Sequence, residues 1–308
     1  MTRFGLIHAI KSHASTLIKY PLVNALRGVP MPTFTGEEAQ VEIARQLLVP
    51  GSLIARIGET EGRAIRYYLR HRIARIEPLP YPATVREAMK QGAGFFPTDD
   101  LTLDRFARLY LAALPDISLY AAWTPHDRDL CRAVTARRVR LFDLDPFFTH
   151  NRWTFALTGR RVTIVSPFAM TIERQYQHRT ALFPTPTLPD FELATVASPM
   201  THVGVDVSHQ DWFDNLARLD DAVAATRADV VVIGAGAYGF PAAAMAARRG
   251  TSALVMGGAT QLLFGIAGQR WLNDPAYRAI MTPAWTTPSL DERPDGYGDL
   301  EIAGGAYW

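Results

Sequence analysis

The sequence predicts a doubly wound α/β fold, with a mostly parallel sheet and helices on both of its faces. Three observations carry this. The apolar runs are short and continuous, as in VVVI at 230–233, the pattern of strands buried on both faces rather than one. Stretches of helical length separate these runs in a repeated strand, helix, strand order. At 308 residues and 48% hydrophobic content, the chain can bury a core of the size such a fold requires.

The expected organisation is a basic arm over 1–34, a single α/β body over 35–271 and an irregular, Pro-, Asp- and Gly-rich strap over 272–308. The arm carries Arg3, Lys11, Lys19 and Arg27 with no acid before Glu37. Phe4, Ile7, Leu17, Ile18, Leu22 and Leu26 could share one face of a helix in it. Such a helix either lies on an anionic membrane surface or packs on the body, and Pro21, which interrupts it, favours packing. The arm lacks the compact apolar segment of a secretory signal, and no run of about eighteen apolar residues exists to span a bilayer. A lone cysteine, Cys131, read as a packing residue, fits a reducing compartment. These features predict a cytoplasmic protein, peripheral at the inner membrane surface if residues 1–28 dock there, and they are compatible with a homo-oligomer.

Thr35 and Glu38 have capping-box spacing and open the first helix of the body. A strand follows at 52–57, then helices at 60–72, 83–91 and 102–113, the last two separated by a Gly- and Pro-rich loop. Strands at 117–123 and 138–144 flank a short helix between Pro125 and Ala136. RRVTIVSPF at 160–168 reads as the next strand, with a helix at 169–181, a Pro-rich turn and a strand at 191–196. Helix 210–227, strand 229–234, helix 239–250 and strand 252–257 complete the alternation. Ligands of such sheets bind beyond the carboxyl ends of the strands, so the chemistry is expected in loops 58–62, 166–168, 234–239 and 257–261.

Gly234, Gly236 and Gly239 have G-x-G-x-x-G spacing between a strand and a helix, the context of a dinucleotide fingerprint. A nicotinamide oxidoreductase would also need an acid about 20 residues on, at the end of the next strand. That strand ends Leu254-Val255-Met256-Gly257 instead. The turn therefore reads as a cradle for a phosphate or diphosphate at a helix N-terminus, or as glycines that let strand and helix pack closely.

Glu59 and Glu61, in SLIARIGETEGRAIRYYL, fall just past a strand. An acid-x-acid loop beside a phosphate turn supplies the hard oxygen donors that Mg²⁺ or Mn²⁺ takes together with substrate phosphates. Two nearby glutamates are also a common feature of a helix first turn.

ARIGETEG resembles the Arg-x-Gly-Asp-Gly-Glu loop of the GT-D type glycosyltransferases, bacterial enzymes first grouped as a domain of unknown function. Segments 92–110, 165–176, GGATQLLFGIAGQRW at 257–271 and the closing GGAYW are similar to GT-D-like proteins of bacterial polysaccharide loci. The resemblance implies a metal-dependent transfer of a sugar from a nucleotide-sugar donor, a UDP-sugar foremost, to a saccharide or lipid-linked acceptor. It places Glu61 on the family's glutamate and Glu59 on its aspartate as metal ligands, with Arg56 and Gly58 leading the loop. Ser166 stands where many relatives carry histidine.

A cation beside the breaking bond to the diphosphate stabilises the charge that grows there. Gly234, Gly236 and Gly239 would cradle phosphate or ribose, with Gln261 nearby and Arg270 as a second cation. Tyr238, Phe96 or Trp271 could stack on base or sugar or pack in the core. Asp99, Asp100 and Glu173 are the candidate general bases, although Asp99 and Asp100 could equally cap the following helix and Glu173 could be a surface charge. A non-catalytic nucleotide-sugar or glycan-binding protein of the same fold is the alternative, and an NAD-dependent oxidoreductase a second.

Nucleic acid is not an expected partner, because the formal charge is only +2 and acids are interspersed with arginines. His126, His150, His178, His202 and His209 show no close-spaced pair that would bind zinc.

Overall fold

The computed structural model describes residues 28–201 and 211–293. The amphipathic arm, His202, His209 and the terminal GGAYW lie outside the described residues. Seven strands form one wholly parallel sheet: β1 (Leu53–Ala55), β2 (Leu119–Ala122), β3 (Arg137–Arg140), β4 (Arg161–Ser166), β5 (Glu192–Ala197), β6 (Val230–Ile233) and β7 (Ser252–Val255). Their order across the sheet is β3-β2-β1-β7-β6-β4-β5. The chain winds outward from β1 through β2 and β3, crosses to the other half, and returns through β6 to set β7 beside β1. Register along the centre pairs Ile54 with Leu254 and Val232 with Leu254.

The continuous apolar runs are explained by burial on both faces. Leu53 and Ala55 of β1, Val231 and Ile233 of β6, and Ala253 and Val255 of β7 enter one core cluster. Ile54, Val230, Val232 and Leu254, at the alternate positions, enter the other. The first face is covered by α2 (Glu59–Tyr67), α3 (Ala83–Ala93), α4 (Asp100–Ala113), α7 (Trp212–Ala225) and α8 (Gly239–Arg248). The second is covered by α1 (Glu37–Leu47), α6 (Ala169–Tyr176) and a 3₁₀ segment, Gly257–Phe264. Two short helices follow that segment, α9 (Gln269–Leu272) and α10 (Pro275–Arg278), and α5 (Asp127–Leu130) lies between β2 and β3.

Several local expectations change. Helix α1 begins without the Thr35–Glu38 box: its N-cap is Gly36 at φ 57°, with no side-chain cap, and the Gly36 N–H donates to Asp143 at 3.0 Å. A long-range carboxylate thus replaces the local one. The helix predicted over 60–72 is α2 followed by a π turn, Tyr68–Arg72. Strand 138–144 is shorter, because Leu141–Leu144 coils into a 3₁₀ turn that Arg140 and Asp143 close upon each other. Cys131 is half-buried against the first core, where burial pushes its thiol up to about 11.

The strap is tied to the body. Trp285 donates from Nε1 to the Leu182 carbonyl at 2.5 Å and meets Phe183 edge-on, and Glu292 accepts from the Thr171 N–H at the start of α6. Leu254 is fully enclosed, whereas Leu290 in the strap is 73% exposed. We expect Leu254→Ala to lower unfolding free energy by about 2–5 kcal/mol in a urea titration. Leu290→Ala is expected to stay within about 0.5 kcal/mol of the parent.

Candidate functional site

The segments leaving β1 and β7 diverge. After β1, α2 packs on the first face through Ala64 and Ile65, and the π turn that follows through Tyr68. After β7, the 3₁₀ segment packs on the second through Leu262, Leu263 and Phe264. Neighbouring strands whose connections part to opposite faces leave a crevice at their carboxyl ends. Gly58, Gly234 and Gly258 are half-exposed at its mouth and Gly236 is exposed.

Arg56, one residue beyond β1, is the central side chain. Its guanidinium lies against Gly257, where any Cβ would collide with it, and Gly257 also has φ 68°, so glycine is required twice over. The Arg56 guanidinium stands over the Trp123 ring, 5.5 Å from its centroid, and Trp123 donates from Nε1 to the Ile57 carbonyl at 2.7 Å. Arg56 Nε is buried without a hydrogen-bond partner among the described residues. So are Thr260 Oγ1 and Gln261 Oε1, although Gln261 Nε2 donates to the Ile266 carbonyl at 3.0 Å. A Cβ at Gly234 would lie 2.5 Å from the Gly257 carbonyl and 2.7 Å from Thr260 Oγ1, so β6 and β7 approach here only through a glycine.

Glu61 occupies the first turn of α2 and folds back over Gly58, the N-cap, where a Cβ would meet its carboxylate. It is 7% exposed. Burial pushes its carboxyl up from the usual range, opposed by its own backbone N–H and by the Arg56 cation. Tyr110 of α4 lies in the same field, and its hydroxyl donates to the Ala237 carbonyl at 2.6 Å, which ties α4 to the loop after β6.

Beside them, Asp127 is wholly buried and accepts from the Tyr120 hydroxyl at 2.5 Å and from the N–H groups of Trp123 and Thr124, each at 2.7 Å. It shapes the loop that presents Trp123. Neither Asp127 nor Trp123 carried a signal in sequence, since each belongs to the site only through the pairing of β2 beside β1.

The two glutamates diverge in the structure. Glu59 points outward, its side chain 54% exposed and paired with Arg63 at 3.0 Å, while Glu61 points inward. No group of three or more His, Cys, Asp or Glu capable of holding a metal occurs among the described residues. The hard oxygen donors are of the type that Mg²⁺ or Mn²⁺ takes with substrate phosphates. The carboxylate within reach of solvent is Glu59, and to face the crevice it would have to leave Arg63.

The predicted bases are committed elsewhere. Asp99 is the N-cap of α4, accepting from the Thr102 N–H at 3.0 Å and the Thr102 hydroxyl at 2.6 Å, contacts that hold its carboxyl below the usual range. Asp100 pairs with Arg86 at 2.6 Å and accepts from the Tyr81 N–H at 2.9 Å. Glu173 accepts from the Thr195 hydroxyl on the edge strand. Tyr238 is not a platform for a base: it is 1% exposed and stacked on Trp212 at 4.9 Å. Trp271 is 5% exposed in the second core, and Phe96 packs against the first. Ser166 is buried at the end of β4 and accepts from the Phe168 N–H at 3.2 Å. Gly236 takes φ 51°, as the turn demands, whereas Gly239 has ordinary room for a Cβ. The side chain of Arg270 lies outside the described residues.

The helices that start at the crevice, α2 and α8, have no side-chain cap, while α4, α7 and α10 are capped by Asp99, Asp211 and Asp274. In α2 the Glu61 carboxyl accepts from its own backbone N–H, and in α8 the Gly239 N–H donates to the Gly236 carbonyl while Pro241 has none to offer. A cavity of about 510 Å³ lies elsewhere, at the amino-terminal edge of β4, β6 and β7. Two of its arginines are neutralised there, Arg161 by Asp229 and Arg249 by Asp220. The crevice has the stronger chemistry, because its buried polar atoms lack partners. No known protein family, curated protein or solved structure matches the chain.

Two predictions follow from the geometry. Asp99→Ala should cost about 1 kcal/mol of stability, as loss of a helix cap does, and leave crevice ligand binding intact, which denaturation and calorimetry on one preparation would check. Glu61, with its folded pKa raised above the unfolded value, contributes stability that is complete below the ordinary carboxylate range near ~4.3 and is lost as pH rises through the folded value. Glu61→Gln should therefore gain stability relative to the parent as pH is raised from roughly 4 to 8 in paired urea titrations.

Proposed function

We propose that the protein binds a nucleotide sugar with its diphosphate in the β1/β7 crevice and transfers the sugar to a saccharide or lipid-linked acceptor. The observation that carries this reading is a set of buried polar atoms just beyond the carboxyl ends of β1 and β7: Arg56 Nε, Thr260 Oγ1 and Gln261 Oε1. All three are buried and lack hydrogen-bond partners among the described residues. Buried polar groups without partners cost stability unless a ligand or water completes them.

A diphosphate suits this arrangement. The Arg56 fork can contact two phosphate oxygens, and α2 and α8 both begin at the carboxyl-terminal end of the sheet with their positive dipole ends toward it. As the bond between the anomeric carbon and the diphosphate oxygen breaks, the electron pair goes to the leaving oxygen. Fixed donors aimed at that oxygen lower the barrier more than they tighten ground-state binding. Thr260 and Gln261 would orient the donor, and Trp123 would wall the crevice on the β2 side. Glu59 and Glu61 face opposite ways in this arrangement and do not together form a site for Mg²⁺ or Mn²⁺, so neutralisation of the phosphate charge falls to Arg56.

A second reading, a nucleotide-sugar-binding protein without turnover, is favoured by one observation: Asp99, Asp100 and Glu173 are each engaged in structural contacts. Isothermal titration with uridine, guanosine and thymidine diphosphates and their sugars, with and without Mn²⁺, tests binding. Arg56→Ala is expected to weaken it roughly tenfold to a hundredfold, as loss of a charge-assisted bidentate contact does. Unchanged affinity in Arg56→Ala would refute the site. Binding by the parent without release of nucleoside diphosphate across a panel of acceptors would select the second reading.

A further inference from the structure

Residues 73–80, between the π turn and α3, form a loop that exposes its apolar side chains. Ile73 is 58% exposed, Leu79 39%, and Ile76 is 104% exposed, which places it at the tip with nothing packed on it. Leu101, in the first turn of α4, is 75% exposed. Single exposed apolar residues are ordinary, but three within seven positions of one loop are not.

The neck of this loop is fixed. The Leu79 N–H donates to the His71 carbonyl at 3.0 Å, and Arg72 donates from Nη1 to the Leu79 carbonyl at 3.2 Å. Arg72 also forms a bidentate pair with Asp104, at 2.9 and 2.8 Å, in which both side chains are only 11% exposed. The Tyr67 hydroxyl donates to the Pro80 carbonyl at 2.9 Å, and the Tyr81 N–H donates to Asp100, next to Leu101. An apolar tip held up by a pinned base is preorganised for insertion, because little ordering remains to oppose binding.

The charge around the tip selects the partner. Residues 63–80 hold five arginines against one acid, Glu77. Of these, Arg72 is neutralised by Asp104, Arg66 and Arg70 share Asp129, and Arg63 pairs with Glu59. Arg70 remains half-exposed and Arg75 exposed, beside Ile73 and Ile76. We propose that loop 73–80 docks the protein on an anionic lipid surface, with Ile73, Ile76 and Leu79 entering the interface and Arg70 and Arg75 meeting the headgroups. A protruding apolar tip with Arg70 and Arg75 beside it, and Glu77 as the one acid of the loop, fits a bilayer interface, which yields to a wedge, better than the flat complementary face of a protein. The inference is independent of the chemistry in the crevice.

Co-sedimentation of the full-length chain with vesicles of phosphatidylcholine alone and of phosphatidylcholine with phosphatidylglycerol tests this. Binding should require the anionic lipid, and Arg75→Gln should weaken it about fivefold, the usual loss for one juxtamembrane cation. Ile73→Asp/Ile76→Asp should weaken it at least about tenfold, since two apolar side chains leave the interface. Both variants alter exposed positions and should melt with the parent. Equal partitioning of the double variant and the parent, no preference for anionic vesicles, or a dimer of the free protein that the double variant disrupts would each overturn the proposal.

Discussion

Parallel strands can be joined only by connections that cross a face of the sheet, and the rest of this molecule depends on that constraint. Because crossovers cover both faces, the strands must be apolar on both sides, and polar groups are driven to the strand ends. Because the chain winds outward from β1 and returns to set β7 beside it, the connections part at one place in the centre. Polar side chains at that place can be buried without being enclosed by a crossover helix. Arg56, Glu61, Thr260 and Gln261 are there for this reason.

The electrostatics of the crevice follow from its depth. A carboxylate and a guanidinium near each other on a surface would be worth little, but here Glu61 is withdrawn from water and its charged form is disfavoured even with Arg56 in range. Arg56 Nε is left buried without a hydrogen-bond partner among the described residues. The surface arginines behave in the opposite way. Arg161, Arg248 and Arg249 each sit in a solvent-exposed pair with an aspartate, where they contribute solubility and modest stability.

The fold class was legible in sequence because the code for it is local: a continuous apolar tetrapeptide such as Val230–Ile233 cannot be half-exposed. Strand order was not, since nothing in SALV says that it will lie between β1 and β6. The crevice was half legible. Arg56, Gly58, Glu61, Gly234 and Gln261 flank strand ends, and strand ends can be read from pattern. Thr260 and Gly257 were within reach of the same logic, but Trp123 and Tyr110 join the site only through tertiary contacts. The acids offered as bases sit in structural contacts: Asp99 caps α4 through Thr102, Asp100 pairs with Arg86 and Glu173 accepts from the Thr195 hydroxyl, and of these partners only Thr102 is close enough in sequence to be read from it. Of the two roles open to Tyr238 in sequence, the structure gives it core packing, because its stacking partner, Trp212, lies on α7, which covers the same face of the sheet as the helix that Tyr238 precedes.

The glycines at 58 and 257 differ in a way that bears on how such a chain can diverge. Position 257 is confined by its backbone dihedral as well as by the guanidinium, so a shorter residue at 56 would relieve only one of the two restraints. Position 58 has an ordinary φ of −65°, and only the carboxylate of Glu61 forbids it a side chain. A descendant lineage that shortened residue 61 would thereby open residue 58 to alanine or serine, and the later change would in turn bar the return of glutamate. Residue 257 offers no such ratchet, so substitutions there should be purged whatever the genetic background, while 58 and 61 drift as a historically ordered pair.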